Sequence, residues 1–217
     1  MIVAEMKPFE EIKEMLGGYS RVLVLGCGSC VTVCLSGGER QSELLASALR
    51  MARKIEGNIG EIAQKTILRQ CDPEFISQIR NEILQCDAVL SMACGVGVQS
   101  LVREFREMPV LPAMNTRFMG MTDGKGTWQE ACSGCGECVL AMTGGICPVT
   151  TCPKGILNGP CGGNKDGWCE VTPELQCAWV RIYERLKLLN RLDDFKYTIK
   201  AKDWTKKQRP GIYRAEK

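Results

Sequence analysis

The chain has 217 residues, 45% of them hydrophobic, a formal net charge of +3 and no histidine. That length suits one large or two small domains, and the charge is too small, and too sparsely interleaved with aromatics, for a nucleic-acid surface. Without histidine, Cys/His zinc fingers, His-ligated haem, Rieske centres and His-dependent catalytic triads are excluded. The opening residues, MIVAEMKPFEEIKEML, are acidic and amphipathic rather than basic and then apolar, and no run of eighteen apolar residues occurs. These features predict neither a secretory leader nor a membrane span. Fourteen cysteines in that context predict a cytoplasmic, reducing setting where thiols serve metals or redox chemistry rather than structural bridges.

In chain order, residues 8–17 predict a short amphipathic helix closed by Gly17 and Gly18. RVLVLG at 21–26 is an apolar run of the buried-strand kind, followed at once by Cys27, Cys30 and Cys34. Residues 39–56 have helical periodicity through Leu44, Leu45, Ala48, Leu49, Ala52 and Ile55. A second strand is predicted at 65–70, ending at Cys71, and a helix at 74–84 after Pro73. A third strand at 87–93 runs into Cys94 and GVGV; a helix at 97–106 and a short strand at 108–113 follow. Strands alternating with helices predict an α/β fold, a Rossmann-like parallel sheet occupying residues 1–114.

That alternation bears on the cysteines. Loops leaving the carboxyl ends of parallel strands gather along one edge of the sheet, where ligands usually bind. Cys27, Cys71 and Cys94 each follow a predicted strand, and Cys30 and Cys34 share the first loop. Five thiols therefore converge where a cluster needs four. The reading favours Cys27, Cys30, Cys34 and Cys94, with Cys71 as the rival to Cys34. Cys86, between helix and strand, reads as an inert buried thiol. The glycines of 94–100 lack the third glycine of a dinucleotide fingerprint and read as a frame for the cluster rather than a phosphate cradle.

Residues 115–128 predict a turn-rich linker into a second part, 115–217. There the stretch from Cys132 to Cys169 is loop-dominated and glycine-rich. Cys132-x2-Cys135-x2-Cys138 has the spacing by which a bacterial-type ferredoxin loop wraps one corner of a [4Fe–4S] cube, and Cys147 and Cys152 each precede a proline as ferredoxin cysteines do. Cys161, Cys169 and Cys177 bring this part to eight thiols, the number two such clusters need; which of them pair is left open. Structural zinc sites favour two close cysteine pairs, which this segment does not show, but an all-thiolate zinc site stays open for one of the positions. A long helix is predicted at 172–195 with Thr172 as its cap and Pro173 in its first turn. Leu175, Trp179, Ile182, Leu186 and Leu189 form its apolar face. The basic tail, 196–217, with Trp204 and Tyr213, is predicted to be solvated or to lie along a partner.

Three segments together, GCGSCVTVCLSGGE (26–39), SMACGVGVQSL (91–101) and the cysteine-rich stretch 132–171 with its TGGICP and LNGPCGG elements, closely resemble the small, cysteine-rich subunit of the two-subunit methylenetetrahydrofolate reductases of acetogenic and related anaerobic bacteria. The resemblance covers nearly all of the chain. It implies a partner, a TIM-barrel subunit holding a flavin on which methylenetetrahydrofolate is reduced to methyltetrahydrofolate. It also implies iron–sulfur clusters, with zinc as a further occupant, that relay electrons to that flavin.

The expectation is thus an electron-transfer subunit with one [4Fe–4S] cluster in its N-terminal half and one or two in its C-terminal half. It would be fed by a ferredoxin or by another iron–sulfur or flavin subunit. With no acid/base constellation in the sequence, no bond-making chemistry is expected of this chain itself. A zinc-stabilised interaction module and a free-standing nucleotide-binding enzyme are the alternatives.

Overall fold

In a computed structural model, described for residues 1–207 and residue 211, the chain forms two compact units, Met1–Trp128 and Gln129–Lys217. The first begins with β1 (Ile2–Met6), α1 (Phe9–Leu16), β2 (Arg21–Cys27), α2 (Cys30–Val33) and α3 (Glu39–Ile55). It continues through β3 (Glu61–Ile67), α4 (Pro73–Ser77), α5 (Arg80–Leu84), β4 (Ala88–Met92), α6 (Gly95–Glu104), β5 (Val110–Pro112) and β6 (Met114–Thr122). Strands β3, β2, β4 and β5 lie side by side in that order, every neighbour parallel. The α/β reading therefore holds at the level of a four-stranded parallel sheet.

Both faces of that sheet are covered, and β2 shows how. Successive side chains of a strand point to opposite faces. Val22 and Val24 pack with Ile12, Leu16, Leu45 and Leu49 on one side; Leu23 and Leu25 pack with Ile76, Ile79, Ile83 and Leu101 on the other. A strand buried on both faces must read as a continuous apolar run, which is why VLVL is visible in the sequence. On α3 the buried face is Ser42, Leu45, Ala46, Leu49 and Arg53. Leu44 and Ile55, expected on the apolar face, are exposed.

Several boundaries differ from the sequence reading for local reasons. The second strand starts at Glu61 and stops at Ile67, so Gln70 and Cys71 lie in the loop beyond it. The helix expected at 74–84 is two short helices broken at Gln78 and Ile79. Residues 1–7, assigned no element, contain β1, and the linker expected at 115–128 is largely β6, which pairs antiparallel with β1 and so begins a second sheet. NTRFMGMTDG has no clean apolar alternation, and the burial along β6 follows no two-residue period, its register against β1 shifting between Val3 and Ala4.

The second unit begins within β7 (Trp128–Cys132) and holds α7 (Pro148–Thr151), α8 (Ala178–Leu188) and 3-10 turns at Leu192–Lys196 and Trp204–Lys206. The rest of its described residues are mostly turn and loop, in keeping with a glycine-rich segment. Its core is small: Val139, Cys177, Trp179, Ile182, Leu186 and Ile199. The helix expected from Thr172 starts at Ala178, with Cys177 at its cap position. Residues 165–168 instead form a tight hairpin, Lys165 N–H to Trp168 C=O at 3.0 Å and the reverse bond at 2.9 Å. Asp166 and Gly167 both sit at positive φ, 51° and 86°, the geometry an Asp-Gly hairpin loop adopts. Cys169 and Cys177 are then held apart from helix by main-chain bonds, Cys169 N–H to Leu175 C=O (2.9 Å) and Cys177 N–H to Gly167 C=O (2.7 Å).

The tail departs from expectation as well. Asn158 exchanges two hydrogen bonds with the Ile199 main chain (2.7 and 2.8 Å), and Glu137 accepts from the Asp203 N–H at 3.0 Å and from Lys206 at 2.6 Å. Residues 197–206 are thus tied back onto their own unit, while Tyr213 lies outside the described residues. No helix among the described residues is long and apolar enough to cross a membrane.

Candidate metal centres

Strand order in the parallel sheet reverses around β2: the chain leaves it for β3 on one side, then returns to add β4 on the other. Open α/β sheets bind ligands at such a point, outside the carboxyl ends of the strands. Here that place is occupied by a cavity of about 160 Å³ lined by Cys27, Cys30, Cys71 and Cys94, with Arg69, Gln70 and Val96. Cys27 is the last residue of β2, Cys30 opens α2, Cys71 follows β3 and Cys94 caps α6.

Main-chain bonds fix these loops to one another. Gly28 N–H donates to Ile67 C=O (2.8 Å) and Ser29 Oγ to Leu68 C=O (2.7 Å), joining the loop of Cys30 to the loop of Cys71. Gly97 lets the first turn of α6 close on that second loop. A Cβ at residue 97 would stand 2.9 Å from the Gln70 Cβ and 2.7 Å from the Ala93 Cβ, so the glycine is needed for close approach. The GVGV stretch is therefore the first turn of a helix packed beside the thiols. Burial, and with it the negative charge of the Cys27 and Cys94 sulfurs, pushes the Cys71 thiol up from its ordinary value.

Cys34 stands elsewhere. It is buried, with its Sγ 3.0 Å from Ser36 Oγ and 3.6 Å from the Ala4 and Val31 carbonyl oxygens. It lines a separate groove with Val3, Phe118 and Trp128. Cys86 lies at the opposite end of β4 from Cys94, its thiol 3.3 Å from Glu82 C=O, and burial pushes it up too.

In the second unit, Cys152, Cys161, Cys169 and Cys177 line one small cavity of about 20 Å³, with Lys154, Glu170 and Trp179 around it. Lys154 Nζ is 3.8 Å from Cys161 Sγ and forms an ion pair with Glu170. The Glu170 carboxylate holds that lysine above its ordinary range. The remaining thiols of this unit are Cys132, Cys135, Cys138 and Cys147. Thr150 Oγ1 donates to Ala131 C=O (3.2 Å) and Thr151 Oγ1 to Cys147 C=O (2.5 Å), so α7 ties Cys147 to the backbone just ahead of Cys132. Gly134 N–H points at Cys132 Sγ at 3.4 Å. At Cys135 burial acts to raise the thiol, but a backbone hydrogen bond at Glu137 and the Lys202 ammonium outweigh it and hold the thiol below its ordinary value. Sequence reasoning passed over Lys154, Glu170 and Lys202; a lysine directly after a cysteine-proline pair was the available signal.

The donor set can be tested against the metals expected. Four thiolates on one tetrahedral zinc ion at about 2.3 Å would lie roughly 3.8 Å from one another. Among the described residues no three Cys, Asp or Glu side chains are grouped tightly enough to hold a single ion. Eight of the cysteines line two cavities, four around about 160 Å³ and four around about 20 Å³.

Comparison with known families bears on the same segment. The family model described as Methylene-tetrahydrofolate reductase C terminal matches residues 111–205, somewhat under half of the chain and inclusive of all eight C-terminal cysteines. That stretch links the protein to methylenetetrahydrofolate reductase. Comparison with curated proteins and with solved structures gives no match.

Proposed function

We propose that this protein is the iron–sulfur subunit of a methylenetetrahydrofolate reductase, passing electrons to a flavin held by a barrel-shaped partner. The observation that carries the reading is the gathering of Cys27, Cys30, Cys71 and Cys94 at the reversal point of a parallel sheet, with a second quartet, Cys152, Cys161, Cys169 and Cys177, around a second cavity. The family match over 111–205 supports the link to methylenetetrahydrofolate reductase. On this reading Cys71 takes the fourth position that the sequence favoured for Cys34, and Cys132, Cys135, Cys138 and Cys147 form a third set. The first unit is Rossmann-like in this reading and the cysteine loops of the second are ferredoxin-like; the setting is a reducing cytoplasm, and a ferredoxin-type protein is the donor.

A bound [4Fe–4S] cluster supplies one-electron transfer at a potential set by its surroundings. The chain's contribution is to fix the thiolates, to exclude water with Trp179 and Ile2 beside the cavities, and to aim main-chain N–H groups such as that of Gly134 at sulfur. Charged neighbours do the rest.

Anaerobic purification followed by iron, acid-labile sulfide and zinc analysis tests the proposal. Brown protein with matched iron and sulfide, giving an electron paramagnetic resonance signal on reduction and speeding reduction of the partner flavoprotein, is expected. Colourless protein with zinc and no sulfide would replace the relay by a zinc-stabilised interaction module. Tight nucleotide binding by the isolated chain would argue for a free-standing enzyme.

A further inference from the structure

The ion pair between Lys154 and Glu170 sits where stability does not require it. The two side chains are 38% and 39% exposed, and pairs so placed contribute little to folding. Both nevertheless line the cavity shared by Cys152, Cys161, Cys169 and Cys177. Lys154 Nζ approaches Cys161 Sγ to 3.8 Å. The loop that carries Cys161 is closed over the carboxylate: a Cβ on Gly163 would fall 2.0 Å from Glu170 Oε1. Two opposite charges are thus seated against one group of thiols, the cation in contact with a sulfur.

We infer that Lys154 and Glu170 set the reduction potential of the centre held by Cys152, Cys161, Cys169 and Cys177, Lys154 raising it and Glu170 lowering it. The inference rests on the iron–sulfur reading above. Taking up one electron from a reductant such as dithionite adds one negative charge to the centre and its thiolates. A fixed ammonium beside a sulfur therefore favours the reduced form, and a fixed carboxylate the oxidised form. Lys154 is the stronger partner because it also donates a hydrogen bond to the ligand sulfur, and such bonds stabilise the more electron-rich state. Glu170 holds the ammonium in place and offsets part of its field.

The test is an anaerobic dithionite titration of the full chain, followed by electron paramagnetic resonance, with iron and sulfide measured first. Lys154→Met is expected to keep its iron and to move one titration step, and one only, to lower potential, by about tenfold in the one-electron equilibrium, or about 59 mV. Glu170→Gln moves the same step to higher potential by a smaller amount, and Lys154→Arg stays near the parent. Shifts of the same sign, or no shift with iron retained, overturn the inference while leaving the iron–sulfur reading intact. Loss of iron in both neutral variants also overturns it, since the pair would then hold the loop rather than set a potential. Parent protein without iron or sulfide overturns the reading beneath it.

Discussion

Gln70 Oε1 accepts a 2.6 Å hydrogen bond from Ser91 Oγ in the middle of β4, while its Nε2 donates to Leu25 C=O on β2 at 2.7 Å. Both side chains are fully buried. One amide therefore pins the loop after β3 to the two central strands, immediately ahead of Cys71. Gln70→Leu keeps the volume but removes the side-chain bond to Leu25 C=O and leaves the buried Ser91 hydroxyl without its acceptor, a cost of about 1–3 kcal/mol. Chemical denaturation should show a loss of roughly 1–3 kcal/mol, and iron content should fall as Cys71 is released. Ser91→Ala, which leaves only one Gln70 acceptor position unfilled, should cost less.

Exchange of single cysteines separates the two candidates for the fourth position at the sheet edge. Cys71 shares its cavity with Cys27, Cys30 and Cys94, while Cys34 is turned toward Ser36 and Ala4. Cys71→Ser is expected to lower the iron content by about one cluster per chain with the far-ultraviolet circular dichroism unchanged. Cys34→Ser is expected to retain iron and to show at most a modest loss of stability from its packed position. The reverse result would return Cys34 to the ligand set.

How far the sequence carried this reading depends on the range of the interactions involved. Strand-end cysteines could be assigned to a common edge because parallel alternation is a local signal and the edge follows from topology. The choice between Cys34 and Cys71 was not legible: it turns on where α2 points after one helical turn, and α2 is fixed by distant contacts such as Ser29 Oγ on Leu68 C=O. In the same way β1 and β6 were missed because they pair with each other across most of the first unit, far apart in the chain. In the second unit Asp166-Gly167 could have announced its hairpin. The stop at Cys177 could not be foreseen, since residues 172–177 have good helical periodicity and are held out of helix by bonds from Cys169 to Leu175 and Cys177 to Gly167.

The start of the sheet carries a titratable clasp. Arg21 donates to Asp87 from its backbone N–H (2.8 Å) and from Nη2 (2.7 Å), tying the first residue of β2 to the approach to β4. These bonds, the guanidinium first, hold the Asp87 carboxyl below its ordinary value of 3.8. A carboxyl depressed on folding adds stability that is fully present above its unfolded value and is lost as pH falls through the folded one. Parent and Asp87→Asn should therefore differ in melting temperature at neutral pH, and the gap should close only below pH 3.8. Because the pair is exposed, the gap should be small and should shrink in high salt.

Trp179 carries the second unit. It is 6% exposed, its Nε1 donates to Ile156 C=O at 2.9 Å, and its ring meets Phe195 edge-on at 5.9 Å. Its other face lies against Gly159, where a Cβ would come within 2.4 Å of the ring. That ring separates the core of the unit from the cavity of Cys152, Cys161, Cys169 and Cys177. Trp179→Ala should therefore remove about 3–5 kcal/mol and free the 156–161 loop, and on the proposed iron–sulfur reading iron content should fall with it. Trp179→Phe keeps most of the packing and gives up one hydrogen bond, a cost of about 1 kcal/mol, and should retain iron. Gly159→Ala should resemble the alanine variant more than the phenylalanine one, because the ring must move to admit the methyl group. Denaturant titrations of the three variants alongside iron analysis give the order; equal iron retention in all three would mean that the loop, and not the tryptophan, holds the cysteines in place.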